Sequence, residues 1–572
     1  MYIEIVPNRG SRPAILLRKG RREGKRTVKQ TLANLSDWDD QRIESLRLVL
    51  RGVRLFTVDQ IFRIERSVAH GHVELVLAMI RKLDLARLID AKPSRERDLI
   101  VAMVAERILA PASKLGTTRL WETSTLPEEL CLGRVDVEEL YAALDGLIER
   151  QPRIEKKLAR RHLAEGSTVL YDISSSFYYG HTCPLVMFGH SRDQKKNLPI
   201  IVYGVLTDEE GRPVAAEAYK GNTADPKTVP DRVEQLRSKF GLTRVILVGD
   251  RGMLTQAQIT NLKKYPGLGW ISSLRSTQIR PLFAEGALQR SFFDAANLAE
   301  ITWPDHPNER LVACFNPLLA EQRHRKRNEL LAATERDLDR IRREVERRTK
   351  TPLTRSDIGV RAGRVLFRRK MGKHFKLSIG EGTFSWTRRA ESISDEERLD
   401  GIYVIRTSES ALSLPADDAV RHYKSLAHVE RAFRCLKGID LRIRPIFHRK
   451  ENRVRAHIFL CMLAYYVEWH LRKALAPILF EDEEIDLLRL TRDPVAPATP
   501  SPSVIEKKKT RQTEDGLPIQ SFSSLLALMS TLCRNRCRLA SDTTAPPVDV
   551  LTDITPLQQR ALDLVAAFPV TT

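Results

Sequence analysis

Tyr423-Lys-Ser-Leu-Ala-His-Val-Glu-Arg-Ala-Phe-Arg-Cys-Leu-Lys437 reads first as a helix. Pro415 and the acidic pair Asp417 and Asp418 stand where a helix begins, and Gly438 stands where one ends. Leu426, Val429, Phe433 and Leu436 recur at intervals of 3, 4 and 3 residues, which draws one apolar stripe toward a core. Tyr423, Glu430 and Lys437 are spaced by seven. Seven residues fall short of two full turns by only about 20°. The three therefore form a polar column beside the stripe, a carboxylate between a phenol and an ammonium. A solvated amphipathic helix explains this column nearly as well, so the meaning of Glu430 depends on the rest of the chain.

The 572 residues are enough for several domains with full hydrophobic cores. Lys and Arg number 94 against 73 Asp and Glu, a net charge of +21. Such a surplus points to a polyanion, above all nucleic acid, because each phosphate contact releases counterions. A membrane surface is the other candidate. However, there is no apolar run of about 18 residues and no lipidation motif. The opening residues MYIEIVPNRG have no apolar stretch after a basic start, so no secretory leader is expected, and a cytoplasmic, nucleoid-associated protein is. Seven cysteines without a CxxC pair fit free thiols in a reducing compartment. Cys533 and Cys537, in CRNRC, lack the His or Cys companions of a zinc site. No glycine-rich cofactor loop is present.

Residues 1–65 alternate short strand-like runs with basic turns such as KGRREGKRT, which predicts a basic β-ribbon module. It reads equally as a solvated hairpin or as a DNA-contacting arm. Over 66–166 the apolar period becomes helical, as in HVELVLAMIRKLDLARLI and DVEELYAALDGLIERQPRIEKKLARRHL. An all-α domain is expected there, with helix-turn-helix contact to DNA as one option and simple packing as the other. From 167 to 275 the pattern switches to strands. TVLYDISSSFYYG, then two strands joined at Asp208–Gly211, a helix near 228–240, the apolar run RVILVGD, a helix near 254–265 and GWISSLR give the order β-β-β-α-β-α-β. That is the order of a ribonuclease-H-like mixed sheet, which needs one more helix beside its first and fourth strands. The Glu430 helix fills that place if 276–400 is an insertion and 401–480 returns to the core. The insertion reads as α+β: a long helix of alternating charge (317–348), solvated or coiled, then basic strand-like runs over 363–388. FLCMLAYYVEWHLRKAL reads as an apolar helix closing the core. Residues 481–572 read as a Pro- and Lys-rich linker and a helical tail. The expected fold class is thus multidomain α/β, with a ribonuclease-H-like core, a helical N-terminal domain and an α+β insertion.

Three acids fall at telling places. Asp172 lies inside an otherwise apolar and hydroxyl-rich strand, where a carboxylate costs several kcal/mol unless it is paired or binds metal. Asp250 ends the apolar strand at the carboxyl edge of the sheet, where sites collect in α/β folds. In a core of this order Glu430 crosses the same two strands. Three carboxylates in a small volume must bind cations or take up protons. Two Mg²⁺ ions about 3.5–4 Å apart can activate a water and stabilise the leaving oxygen of a phosphodiester. Each acid also has a plainer reading: Asp250 as a cap for the GDRG turn, Glu430 as a surface residue.

Taken together, YDISSSFYYG, GNTADPKT (221–228), LVGDRGM (247–253) and Tyr423-x6-Glu430-x6-Lys437 resemble bacterial insertion-sequence transposases of the DDE type. The closer likeness is to the group named for a Tyr-Arg-Glu-Lys helix whose acid follows a large inserted domain. The resemblance spans about residues 1–480. It implies that Asp172, Asp250 and Glu430 are the catalytic, metal-binding triad, using two Mg²⁺ ions for which Mn²⁺ can substitute. It also implies that Tyr423 and Lys437 contact phosphates of the element end. The motif's Arg is replaced by Leu426, a member of the apolar stripe, so Arg431 or Arg434 would have to supply that contact. Arg251, next to Asp250, either holds a phosphate or pairs within its turn. The implied reaction is hydrolysis at the element's 3′ ends and strand transfer into double-stranded target DNA by a synaptic homodimer. Alternatives are a non-transposing nuclease on the same core or a DNA-binding regulator. His190, His428 and His457 read better as packed or solvent-facing residues than as ligands. Trp270 reads as core, and Tyr178 and Tyr179 could stack a base.

Overall fold

The structure, a computed structural model, describes all residues except 11, 54, 56–61, 194, 196, 540–545 and 571–572. Residues 56–61 of the expected 1–65 module thus lie outside the described residues. The chain divides into two units, Met1–Ala69 with Leu532–Asp553, and His70–Thr531 with Ile554–Thr572.

The first unit holds β1 (Tyr2–Val6), β2 (Ala14–Glu23) and β3 (Arg26–Asn34) in one antiparallel sheet, followed by α1 (Asp40–Leu50). Asp39 caps α1 by accepting from the Arg42 amide. A second sheet pairs β4 (Phe62–Ala69) with Cys533–Leu539, which pairs in turn with Val548–Leu551. The CRNRC run is therefore a strand, where a helical tail was expected. Its arginines alternate with Cys533, Asn535 and Cys537, a two-residue period hidden by low hydrophobicity.

The second unit begins with helices: α2 (Gly71–Lys82), α3 (Arg95–Leu109), α4 (Lys114–Leu120) and α5 (Val137–His162). Asp136 and Glu139 form a capping box that starts α5. An eight-stranded sheet follows. Its strands are β5 (Thr168–Phe177), β6 (Ile200–Asp208), β7 (Pro213–Lys220), β8 (Val245–Val248), β9 (Leu268–Ser273), β10 (Leu298–Ile301), β11 (Arg310–Phe315) and β14 (Ile402–Thr407). They lie in the order β10-β11-β14-β9-β8-β5-β6-β7. β5 is antiparallel to β6 and parallel to β8, and β8 is parallel to β9. Helix α6 (Val229–Glu234) connects β7 to β8, and α7 (Gln256–Leu262) connects β8 to β9. The expected strand and helix order is present.

The stretch 276–400 joins the sheet instead of standing apart, since β10 and β11 extend it through β14. Beyond β11, α8 (Pro317–Arg347) and α9 (Arg355–Arg369) form a helical hairpin beside β12 (Phe375–Gly380) and β13 (Thr383–Arg388). Leu331, Leu338, Ile341 and Val345 of α8 pack with Ile358 and Ala362 of α9 in a separate small core. The run 363–369, expected as strand, is the end of α9. Its Val365 and Leu366 continue the Ile358 and Ala362 stripe at helical spacing.

Two helices, α10 (Ala416–Lys424) and α11 (Leu426–Lys437), replace the single one read from sequence. Ser425 stands between them in right-handed helical conformation, with its Oγ donating to the Arg421 carbonyl at 3.0 Å. Such back-bonding bends helices. Last, α12 (Glu451–Leu475) is buried at 18 of its 25 positions. A helix apolar all round must be covered all round, and α12 packs against α3, α5, β7 and α11. Among the described residues, no helix is long and apolar enough to cross a membrane.

Candidate active site

Every residue of β5 from Thr168 to Ser176 is buried except Asp172, which is half-buried. The strand carries a carboxylate into the sheet because its neighbours fix the backbone on both sides. Asp172 Oδ1 accepts from the Ile173 amide at 2.8 Å. Burial pushes this carboxyl up to about 7, and the charge of Asp250 adds to the rise. Arg192 acts in the opposite sense.

The β5–β8 ladder aligns Thr168 with Ile246, Val169 with Leu247 and Leu170 with Val248. Two more residues along each strand bring Asp172 level with Asp250. Neighbouring strands lie about 4.8 Å apart, so the two carboxylates are cross-strand neighbours at the end of β8. Asp250 also caps its turn: Oδ1 accepts from the Gly252 amide at 3.0 Å and from the Met253 amide at 2.7 Å. The plainer reading of this residue is thus realised with one oxygen. The second oxygen, like that of Asp172, accepts no hydrogen bond from the described residues.

Helix α11 lies over β5 and β6. Val429, Ala432, Phe433 and Leu436 are its buried face, and the Phe433 ring meets Tyr203 of β6 edge-on at 5.9 Å. Leu426 packs on the same core as expected from the stripe. Glu430 is exposed and forms no ion pair among the described residues. Tyr423 is turned inward, its hydroxyl 2.7 Å from Ser273 Oγ at the end of β9. Burial raises the Tyr423 phenol, Ser273 opposes this, and Asp250, Arg251 and Glu430 all act on it electrostatically. These residues therefore share one neighbourhood. The side-chain oxygens of Asp172, Asp250 and Glu430 do not all lie within 4.8 Å of one another. Among the described residues, one group meets that condition, Cys435, Asp440 and Glu468. Arg472 bonds two members of that group, Glu468 at 2.7 Å and Asp440 at 3.1 Å, so the group is an ion-pair knot.

Lys437 donates to Asp193 Oδ1 at 3.1 Å, and Arg444 pairs with the same oxygen. Burial lowers the Lys437 ammonium while Asp193 raises it, with a net fall. Arg431 is held by Glu481 at 2.8 Å. Arg434 and Arg251 are exposed and form no ion pair among the described residues. His190 is exposed, whereas His428 and His457 bond the Glu209 and Ile443 carbonyls. Trp270 is buried, Tyr178 donates to the His448 carbonyl at 3.0 Å, and Tyr179 is exposed.

The sequence reading missed Arg192, Asp193, Asp225, Ser273 and Arg444. Arg192 pairs with Asp225 at 2.6 Å, which places the GNTADPKT loop beside Asp172. The loop is pinned at Gly221, where a Cβ would fall 2.1 Å from the Ile200 carbonyl oxygen and 2.4 Å from that of Met187. The polar run SRDQKKN was the available signal for Arg192 and Asp193.

Residues 189–467 match the family model described as "Transposase DDE domain". The match contains Asp250 and Glu430 and begins 17 residues after Asp172. No curated protein matches the chain. Among solved structures, one similar chain comes from the cryo-EM structure of a piggyBac transposase synaptic complex with hairpin DNA. It is 11% identical at a TM-score of 0.33, covering 81% of this chain and 77% of that one. Residues 189–467 thus match a transposase DDE domain, and the chain that carries this match is a transposase.

Proposed function

We propose that the protein cuts and rejoins double-stranded DNA at the ends of a bacterial insertion sequence of the Tyr-Arg-Glu-Lys group. The chemistry is phosphodiester hydrolysis followed by strand transfer, on a site built from Asp172, Asp250 and Glu430. The β5–β8 register carries the proposal, because it brings carboxylates 78 residues apart in sequence level with one another under the Glu430 helix. The order β7-β6-β5-β8-β9 supports a ribonuclease-H-like core. The donor set also fits the ions: hard carboxylate oxygens, of which the second oxygens of Asp172 and Asp250 and both oxygens of Glu430 accept no hydrogen bond from the described residues, suit Mg²⁺ and accept Mn²⁺. When bound, two such ions neutralise charge at the scissile phosphate and activate the attacking oxygen.

The chain's own residues position the reactants. The sheet fixes Asp172, and the turn amides of Gly252 and Met253 orient the Asp250 carboxylate. Glu430 comes from the exposed side of α11, free of competing cations among the described residues. Arg251 and Arg434 supply guanidinium groups that form no ion pair among the described residues and can meet phosphates. Lys437 shares Asp193 with Arg444, which leaves ammonium donors for the strand. Tyr423 takes its place beside Asp250 through Ser273. The working form is a homodimer on paired ends, in the cytoplasm at the nucleoid. The test is to incubate purified protein with its flanking genomic ends, a supercoiled target and Mg²⁺. Cleaved and joined products are expected. Asp172→Asn, Asp250→Asn and Glu430→Gln should each abolish both steps and keep DNA binding; normal cleavage by any one would sink the triad.

A further inference from the structure

Away from the carboxylates, a cavity of about 300 Å³ opens between α3, α4 and the segment leading into α12. Arg107, Lys114, Arg442, Arg444, His448 and His457 line it. Arg107 is 6% exposed and Lys114 is 4% exposed. Arg107 donates to the Ala112 carbonyl at 3.2 Å and forms no ion pair with a carboxylate among the described residues. Among the described residues, Lys114 and Arg442 form no side-chain hydrogen bond or ion pair, and the buried Nδ1 of His457 has no hydrogen-bond partner. Glu106 is an acid close enough to act on Lys114, and burial pushes it up to about 8, so near neutrality it is largely protonated. Burial also drags the Lys114 ammonium down to about 7. An uncompensated buried cation is costly, and here two buried basic side chains, Arg107 and Lys114, converge on an opening that the exposed Arg442 also lines.

We propose that this cavity binds a phosphate of the DNA strand. Arg444 connects it to the candidate active site, since it shares Asp193 with Lys437 at the end of the Glu430 helix. Tyr178, directly after β5, is tied to the His448 carbonyl on the cavity's rim. A strand whose phosphates pass Lys437 and Arg444 is thereby led to Lys114 and Arg442. The assignment of DNA as the source rests on the transposase reading; the anion chemistry of the cavity does not.

The test uses the full chain with Lys114→Met and Arg442→Gln, singly and together. Binding of a labelled duplex is followed across a salt series, and melting is followed with and without inorganic phosphate. Each substitution should weaken DNA binding about ten-fold. Each should also flatten the dependence of log affinity on log salt by about one. K114M should melt no lower than wild type, because it removes a buried charge without a partner. If K114M melts lower, Lys114 is structural and the exposed Arg442 alone decides. Unchanged affinity and salt slope in R442Q would overturn the proposal. So would variants that lose stabilisation by inorganic phosphate while binding DNA normally, which would make free phosphate the ligand. A wild type that shows this binding signature yet never cleaves would refute the reaction and leave the cavity standing.

Discussion

Asp250→Asn and Asp250→Ala should differ in stability and agree in inactivity. The Asp250 side chain has two parts that substitution can separate: Oδ1 holds the Gly252 and Met253 amides, and Oδ2, which accepts no hydrogen bond from the described residues, is the atom proposed to meet a cation. Asparagine keeps an acceptor oxygen of the same reach, so D250N should unfold within about 0.5 kcal/mol of wild type. Alanine removes the acceptor of both amide hydrogen bonds, and loss of a cap costs about 1 kcal/mol, roughly 2 °C in melting temperature for a large domain. Strand cleavage should fall more than ~100-fold in both, since even residues that only hydrogen-bond a metal's ligands contribute about 10–100-fold. The assay pairs thermal unfolding with end cleavage in Mg²⁺ and in Mn²⁺. A D250N protein that cleaves normally would reduce Asp250 to a turn cap. A D250N protein as unstable as D250A would show that the carboxylate charge itself holds the turn, contrary to the geometry described.

Glu309 and Arg406 form a buried ion pair, with Nε to Oε2 at 2.9 Å and side chains 0% and 3% exposed. Glu309→Gln should destabilise by about 3–5 kcal/mol in denaturant titration, because it leaves Arg406 buried without its counter-charge. Burial would raise this carboxyl, but His306 and Arg406 hold it at about 2, below its ordinary 4.5. Its stabilisation is therefore complete above about pH 4.5 and is lost as pH falls toward 2, so the variant's deficit should shrink in acid. Gly221→Ala should cost about 1–3 kcal/mol, because its Cβ would collide with two carbonyl oxygens that belong to a strand and its bridge partner. A melting temperature equal to wild type would show that the loop can shift freely.

Much of the core was readable because its signals are local. Val245–Val248 is apolar throughout and could only be a doubly covered strand, and Asp250 follows at its end. The apolar stripe beside Glu430 gave Val429, Phe433 and Leu436 of the buried face of α11, with Leu426 partly buried against the same core. Non-local pairing was not readable. β11 joins the sheet only through partners such as Thr407 opposite Arg310, 97 residues on, and nothing in RLVACF names that partner. The bend at Ser425 depends on a hydroxyl choosing the Arg421 carbonyl, a choice that apolar periodicity does not record. Asp193 acquires its meaning from Lys437 and Arg444, more than 240 residues away. The strand Cys533–Leu539 was obscured by its arginines, which mask a two-residue period in any hydropathy reading.

The antiparallel pairing of β9 with β14 has a consequence for how this chain can change. Ser273 and Ile405 face each other in that ladder, so the excursion between them leaves and returns through one hydrogen-bonded gate. Loop closure grows only as the logarithm of length, about 0.6 kcal/mol for each doubling. The hairpin of α8 and α9 can therefore lengthen, shrink or be exchanged while β14 stays in register. From there only residues 408–415 separate the gate from α10, so the position of Glu430 is insulated from the size of what precedes it. Such a gate uncouples the Glu430 helix from the inserted helical hairpin and leaves each open to separate variation.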